Sequence, residues 1–381
     1  MIYLDNNATT PVVPEVFDAM RPFLDASFGN PSSAYSLGDQ SKQAVEAARE
    51  SVAIMLGASN SEEIVFTSGG TESDNWAVLG TLEANPEKRH LITSRVEHEA
   101  VRKLCEKLEE KGFRVTWLDV DEEGSIDLAQ LRSSLTVDTA IVSLMMANNE
   151  TGVIFPVAKA AEIVKENSDA LFHVDGVNAA GKIAIDLKNM RVDLFSISAH
   201  KFHGPKGVGA LYIRDGLKLP SIQIGGGQER GRRAGTEAVH QIAGIGAAAR
   251  YVSDLSPMDR VAKLRDELES RILASIPNAS VNGTRDPRYR LPNTSNISFE
   301  NTNGEMILAK FDDAGICVST GSACNSADHS PSPVLKAMNI PYSRAMGSVR
   351  FSLSRLNTGE DIEKLLQLLP QVVNELRKFS E

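Results

Sequence analysis

"EIVFTSGGTESDNWAVLGTLEA", residues 63–84, joins a short apolar run to a helical pattern through two glycines. The run over residues 64–67 is typical of a buried strand, and the apolar residues after Thr71 return at helical spacing. The pattern of strand, turn and helix continues to about residue 215, through the apolar runs "HLITS", "AIVSLMMA", "ALFHVD", "DLFSIS" and "GVGALYI". It predicts a mostly parallel sheet covered by helices, with the loops that follow the strands along one edge.

The second half of the chain has a different pattern and predicts a smaller α+β domain. Two long amphipathic stretches cover residues 236–255 and 256–276, and the second opens with a capping box at Ser256. Strand and helix patterns follow in "TSNISF", "GEMILAKFDDAG", "ICVST" and "VRFSLS". The predicted domains are residues 13–256, and residues 257–381 together with residues 1–12.

Composition places the chain among ordinary globular proteins. It has 381 residues, 42% hydrophobic and 24% charged, with a formal net charge of −10. The negative charge argues against binding to nucleic acid or to an anionic membrane. No apolar run approaches the roughly 18 residues of a membrane span, and no signal-peptide pattern opens the chain. The three cysteines have no CxxC spacing, so we expect a cytoplasmic enzyme without a disulfide framework or a metal site.

Polar residues follow several of the predicted strands. Gly70 and Thr71 begin a helix after a strand, which suits either a phosphate or an ordinary N-cap. Asp175 ends "ALFHVD" and could serve a metal, a ribose, a protonated ring nitrogen or a turn. Lys201 follows "DLFSIS", where partial desolvation would lower its pKa and make Schiff-base chemistry available. Asp175 and Lys201 close successive strands, so we expect them to converge on one crevice as an electron-sink cofactor requires.

Two further stretches point to the same edge of the sheet. "ANNETG", residues 147–152, follows a strand with amide side chains that could bind a ring hydroxyl or a substrate carboxylate. His98 follows "LITSR" and could stack on a flat ring, although a lone histidine is more often a cap or a surface group. Neither stretch is specific by itself.

The three cysteines stand in different patterns. Cys105 shares a helix face with apolar residues, and Cys317 lies in a strand-like run, so both are predicted to pack in the interior. Cys324 lies in "STGSACNSADHSPSP", residues 319–333, where small and turn-forming residues favour exposure. Reactivity requires access and thiolate character, so we expect a mobile catalytic loop over residues 321–330.

Together these stretches resemble the cysteine desulfurases of the NifS/IscS group, in the class V branch of fold-type I pyridoxal-phosphate enzymes. The resemblance runs through "YLDNNATTP", "FTSGGTESDN", "NNETG", "SAHKFHGPKGVGALY", "GGGQERGRRAGTE", "TGSAC" and "VRFSLSR". It implies a large domain with a mostly parallel seven-stranded sheet covered by helices, and a smaller α+β domain. It also implies a homodimer, pyridoxal 5'-phosphate as cofactor and L-cysteine as substrate.

The resemblance implies a role for each matching residue. Lys201 would bind the cofactor covalently, Asp175 would pair with its ring nitrogen, and His98 would stack on the ring and take part in proton transfers. Cys324 would take sulfur from L-cysteine as a persulfide, releasing alanine. The remaining implied residues are Gly70, Thr71, Ser198 and His200 for the phosphate, Thr236 of the neighbouring subunit for the same phosphate, Asn149 and Asn178 for the ring, and Asn149 with Arg350 for the substrate carboxylate.

Several alternatives remain open at this point. A selenocysteine lyase or another class V lyase would share the same motifs. A hydrolase-type pair of Cys324 with His200 or His329 would leave Asp175 and Lys201 without a role. An idle sulfur-carrier scaffold would not need an intact lysine. The resemblance also implies a sulfur acceptor, such as an iron–sulfur scaffold protein, and Asn178 stands where the family usually has Gln.

Overall fold

The computed structural model describes residues 1–320 and 330–378 of the chain. Its strands are, in chain order, β1 (Ile2–Tyr3), β2 (Ile64–Thr67), β3 (His90–Ser94), β4 (Arg114–Leu118), β5 (Thr139–Met145), β6 (Leu171–Asp175), β7 (Leu194–Ser198), β8 (Gly209–Ile213), β9 (Ala279–Val281), β10 (Thr294–Phe299), β11 (Ile316–Cys317) and β12 (Ser348–Ser352). Its helices are α1 (Pro14–Met20), α2 (Ser36–Leu56), α3 (Gly70–Ala84), α4 (Glu99–Glu110), α5 (Leu128–Ser134), α6 (Val157–Asn167), α7 (Val239–Ser253), α8 (Pro257–Ser275), α9 (Gly304–Asp313), α10 (Pro333–Ala337), α11 (Tyr342–Met346) and α12 (Gly359–Lys378).

A seven-stranded sheet forms the centre of the larger part of the molecule. Its strand order is β2-β8-β7-β6-β5-β3-β4. β8 runs antiparallel to both of its neighbours, and the other pairs are parallel. The predicted mostly parallel sheet is therefore confirmed. Because β2, β3, β5, β6 and β7 point in one direction, the residues that follow them meet at a single edge.

The strands bury side chains on both faces of this sheet. Ile64 and Phe66 pack in one apolar cluster, whereas Val65 between them packs with Trp76 of α3 in another. This alternation follows from the two-residue period of a strand, and it requires apolar residues at every position of a doubly covered sheet. None of the helices in the described part of the chain is long and apolar enough to cross a bilayer.

A second apolar cluster gathers around smaller sheets in the C-terminal part of the chain. β9, β10 and β12 form an antiparallel sheet, and β1 pairs in parallel with β11. Leu4 of the N-terminal segment packs in the same cluster as Phe299, Phe351 and residues of α8 and α12. By contrast, Val334 of α10 packs against the large cluster. The division between residues 256 and 257 stays a prediction.

The start of α8 differs from the sequence-based expectation. Ser256 has helical dihedral angles, and its side chain does not cap the helix. Its backbone N–H and its Oγ instead donate to the carboxylate of Asp254 at 2.9 and 3.0 Å. The predicted capping box is therefore wrong, because the Asp254 carboxylate accepts the hydrogen bonds of the Ser256 N–H and hydroxyl. Pro257 occupies the first helical turn as expected.

Gly176, directly after Asp175, offers a test of how closely β6 and β7 are packed. A Cβ at this position would lie 2.0 Å from Cζ of Phe195, whose side chain is fully buried. Gly176→Ala should lower the free energy of unfolding by about 1–3 kcal/mol because the ring must move within a close-packed core. Urea denaturation of the cofactor-free protein measures this change.

Gly359→Ala is the matched control, since no atom lies within 4 Å of a Cβ built there. It should change the free energy of unfolding by no more than about 0.5 kcal/mol. Equal stability of the Gly176→Ala and wild-type proteins would contradict the packing described here.

Candidate active site

A cavity of about 460 Å³ lies at the edge of the sheet where the parallel strands end. Most of the residues predicted for the site line this cavity: Gly70, Thr71, His98, Asn149, Asp175, Asn178, Ser198, His200, Lys201 and Arg350. Thr236 is exposed and lies outside this lining, and Cys324 is outside the described residues. The sequence-based grouping of these polar side chains therefore corresponds to one space in the fold.

Lys201 is positioned by two parts of the chain. β7 ends at Ser198, and a short helical turn carries Lys201 over the edge of the sheet beside Asp175 at the end of β6. The Nζ of Lys201 donates to the backbone oxygens of Asn7 at 2.5 Å and Ala8 at 3.0 Å. The N-terminal segment therefore holds the amine in the cavity.

Asp175 and His98 are buried together on the cavity wall. Burial raises the pKa of Asp175, while a hydrogen bond from Val177 N and the positive charge of Lys201 lower it. Burial lowers the pKa of His98, and its Nδ1 accepts a hydrogen bond from Ala100 N at 3.2 Å. The bond assigns the proton of a neutral imidazole to Nε2, so His98 begins α4 as an uncharged ring.

The predicted phosphate-binding residues come together at the beginning of α3. A Cβ at Gly70 would lie 2.7 Å from Val177 and 3.7 Å from the Cβ of Ser198, so only a residue without a side chain leaves this corner open. Gly70 and Thr71 are the first residues of a 15-residue helix, whose unpaired N–H groups favour an anion. Burial and the charge of Lys201 lower the pKa of His200 to about 4, which keeps its ring neutral.

These groups fit pyridoxal phosphate. A helix N-terminus with a close glycine approach suits the phosphate, the amine of Lys201 suits the aldehyde, and the carboxylate of Asp175 suits a protonated ring nitrogen. The cavity volume lies in the usual range for a small-molecule site.

Arg350 lines the cavity from within β12. Its Nη2 donates to Asp5 at 2.6 Å and its Nη1 donates to the backbone oxygen of Asn149 at 3.0 Å. Among the described residues, its buried Nε has no hydrogen-bond partner. Asn149 thus holds Arg350 through its main chain rather than through its side-chain amide. Asp5 was quoted in the motif "YLDNNATTP" but had no predicted role.

Two buried acids in the cavity lining were also missed by sequence reasoning. Glu97 accepts hydrogen bonds from Ser94 Oγ at 2.6 Å and Met145 N at 3.1 Å, and burial raises its pKa to about 8. Burial and the charge of Asp175 raise the pKa of Asp74. Glu97 stands beside His98 in the sequence, but a sequence pattern does not show whether a carboxyl is buried.

The two cysteines in the described chain differ in burial. Cys105 is buried in the interior, as predicted, and burial raises the pKa of its thiol to about 12. Cys317 is only partly buried in β11. An inert Cys105 removes one candidate nucleophile, because a thiol reacts as its thiolate.

The family model described as Aminotransferase class-V matches residues 2–365 of the chain. The chain belongs to this family. Among curated relatives, "Cysteine desulfurase NifS" of Azotobacter vinelandii is 49% identical over 381 residues, covering 100% of this chain and 94% of the relative. Membership of the class-V family and this similarity confirm the predicted NifS/IscS resemblance, the pyridoxal phosphate cofactor and an enzyme of the cysteine desulfurase type.

Solved structures of similar proteins share the same architecture. A "NifS-like protein" is 39% identical with a TM-score of 0.91, covering 98% of this chain and 100% of that chain. A structure described as "SspA in complex with cysteine" is 34% identical with a TM-score of 0.83, covering 94% of this chain and 100% of that chain. The predicted fold-type I class is therefore confirmed.

Glu97→Gln tests whether the folded protein holds this carboxyl protonated. The pKa of Glu97 rises from 4.5 to about 8 on burial, so between these values the folded state binds a proton that the unfolded state releases. The stabilisation that this proton provides is fully present below the pKa of the unfolded chain and is lost as the pH rises to about 8. Over this range the free energy of unfolding falls by at most about 1.4 kcal/mol per pH unit. Glu97→Gln should therefore make the free energy of unfolding fall less steeply with pH.

Urea denaturation of the cofactor-free protein between about pH 5 and pH 8 measures these slopes. Glu166→Gln is the control, because Glu166 is exposed on α6 and should retain the wild-type pH dependence. Parallel stability curves for the wild type and Glu97→Gln would show that Glu97 is ionised in the folded protein.

Proposed function

We propose that this protein transfers sulfur from L-cysteine to Cys324 with the help of pyridoxal phosphate, releasing L-alanine. The observation that supports this most directly is the convergence of Lys201 and Asp175, from the ends of adjacent strands, on a cavity whose lining also includes the N-terminus of α3. The solved relative described as a complex with cysteine supports L-cysteine as the substrate.

Several residues of the cavity then have a chemical task. Pyridoxal phosphate, when bound, supplies an aldehyde for the substrate amine and a ring that stores the electron pair of a broken Cα–H bond. Gly70, Thr71, Ser198 and His200 would hold its phosphate, and Asp175 would pair with its ring nitrogen. Lys201 Nζ is the base that takes the Cα proton, because it is the amine beside Asp175 in the cavity.

The substrate carboxylate is bound by Arg350. The guanidinium is nearly buried, and its hydrogen bonds to Asp5 and Asn149 fix its plane toward the cavity. A fixed guanidinium can bind a carboxylate in a bidentate manner, which orients the substrate as well as holding it. We therefore assign the binding of the substrate carboxylate to Arg350, beside Asn149 in the cavity lining.

Sulfur transfer itself belongs to Cys324, which lies outside the described residues. Its thiolate attacks the substrate sulfur, the substrate Cβ–S bond breaks, and an S–S bond forms. One L-cysteine and one enzyme thiol thus give one alanine and one enzyme persulfide. The predicted mobility of residues 321–330 falls largely on residues outside the described part and stays a prediction.

Further parts of the proposal concern other molecules. Thr236 is exposed and does not line the cavity of its own chain, which agrees with a residue that reaches the phosphate of a neighbouring subunit in a homodimer. A sulfur acceptor such as an iron–sulfur scaffold protein, and a cytoplasmic location, stay predictions of the sequence.

Lys201→Ala and Cys324→Ser separate cofactor binding from sulfur transfer. The wild-type protein purified with pyridoxal phosphate should be yellow, because a lysine-bound cofactor absorbs visible light. Lys201→Ala should lose this absorbance band. Cys324→Ser should keep the band and its spectral change on adding L-cysteine, but form no persulfide in a mass spectrum. A colourless wild type that takes up no cofactor would refute the proposed function, and alanine release by Cys324→Ser at the wild-type rate would refute the role of Cys324.

Arg350→Lys tests the carboxylate site. A single ammonium cannot make two parallel hydrogen bonds, so the KM for L-cysteine should rise by about 10-fold or more, while the cofactor absorbance stays unchanged. Steady-state alanine formation measures KM and kcat. Arg344→Lys is the control, because Arg344 donates to Asn282 and lies outside the cavity lining. An unchanged KM in Arg350→Lys would place the substrate carboxylate elsewhere.

A further inference from the structure

A second lysine, Lys182, lies behind the cavity and has no role in the function proposed above. Only 7% of Lys182 is exposed, and its Nζ donates to both oxygens of Asn178, the backbone O and the side-chain Oδ1, each at 2.8 Å. Burial lowers the pKa of Lys182 well below its usual value, and the charges of Lys201 and Arg350 act in the same direction. Both the charged and the neutral amine can donate these two hydrogen bonds.

The contacts with Lys182 and with the backbone oxygen of Asn148 together determine the orientation of the Asn178 amide. An amide has an acceptor oxygen and a donor nitrogen at similar distances from the chain, so the partners decide which points where. The backbone oxygen of Asn148 can only accept, so Nδ2 faces it and donates to it at 3.3 Å, and Oδ1 faces the Lys182 amine, from which it accepts. One hydrogen of Nδ2 then remains for the cavity that Asn178 lines.

Lys182 also lies close to Lys201, the lysine proposed to bind the cofactor covalently. A small cavity of about 20 Å³ has both Lys182 and Lys201 in its lining, together with Asn6 and Thr10. At this short range in a low-dielectric interior, a second ammonium would repel a charge on Lys201. A lysine with a lowered pKa can supply hydrogen bonds here without this repulsion.

We propose that Lys182 is a positioning residue that holds the Asn178 amide so that its Nδ2 donates a hydrogen bond to an oxygen on the cofactor ring. This inference rests on the proposed function, because it requires pyridoxal phosphate in the cavity. The hydrogen bonds of Lys182 to the backbone and side chain of one residue limit rotation about the Asn178 side-chain bonds. The donor is thereby present before the cofactor binds, which lowers the ordering cost of binding.

Cofactor affinity and spectrum test this role without measuring activity. The cofactor-free wild type, Lys182→Met, Asn178→Ala and the double variant are titrated with pyridoxal phosphate, following the visible absorbance. Each single variant should raise the dissociation constant roughly 3- to 10-fold, the value of one hydrogen bond, and shift the absorbance band in the same direction. The double variant should bind no more weakly than Asn178→Ala, since Lys182 acts through Asn178.

Asn178→Asp provides a second variant of nearly the same shape. It keeps an acceptor for Lys182 but removes the donor hydrogens of Nδ2, so we expect a loss of affinity of about 10-fold or more. Lys165→Met is the matched control, because Lys165 binds Asp193 and Ala170 O and lies outside the cavity lining. Its cofactor affinity should equal that of the wild type.

The outcomes distinguish this inference from the proposed function. A wild type that binds no cofactor refutes the proposed function and the inference together. A wild type that binds it, with unchanged affinity and spectrum in Lys182→Met or in Asn178→Asp, refutes the inference alone. If the fold-losses of affinity in the two single variants multiplied in the double variant, the inference would also be overturned, because Lys182 would then act independently of Asn178.

Discussion

The hydrogen bonds between the N-terminal segment and the loop after β7 hold the active site together. Thr10 donates to the backbone oxygen of His200 from both its N–H and its Oγ1, and its Oγ1 accepts from His203 N at 2.6 Å. Asn7 and Ala8 bind the Lys201 amine from the same segment. His203 has a φ of 69°, a strained value for a residue with a side chain, and these bonds compensate for it. The segment therefore links the small sheets to the edge of the large one.

Burial controls the charges around this link. Glu97 and Asp74 have raised pKa values, and those of His98, His200 and Lys182 are lowered, in each case chiefly because the interior disfavours charge. Burial also raises the pKa of Asp175, and the positive charge of Lys201 beside it opposes that rise. Charged groups in a space with little water interact more strongly than the same groups would in solvent.

Much of the fold could be predicted from apolar periodicity alone. The strand pattern in "ALFHVD" and "DLFSIS" corresponds to β6 and β7, and their polar ends correspond to Asp175 and to the approach to Lys201. The antiparallel direction of β8 and the missing capping box at Ser256 could not be predicted in this way. The direction of a strand depends on the path of the chain that connects it to its neighbours. A helix cap depends on which of several nearby acceptors forms the hydrogen bond with the donor.

The sequence by itself determined which residue types follow each strand, and a parallel sheet then brings them to one edge. It thus determined the lysine, the acid, the glycine turn and the family resemblance that they carry. Only the tertiary structure decided that Asp5 binds Arg350, that Glu97 is buried and that Lys182 orients Asn178. The first depends on segments far apart in the chain and the second on a buried environment. The third joins residues only four apart, but it depends on the side-chain conformations of a buried turn, which apolar spacing does not encode.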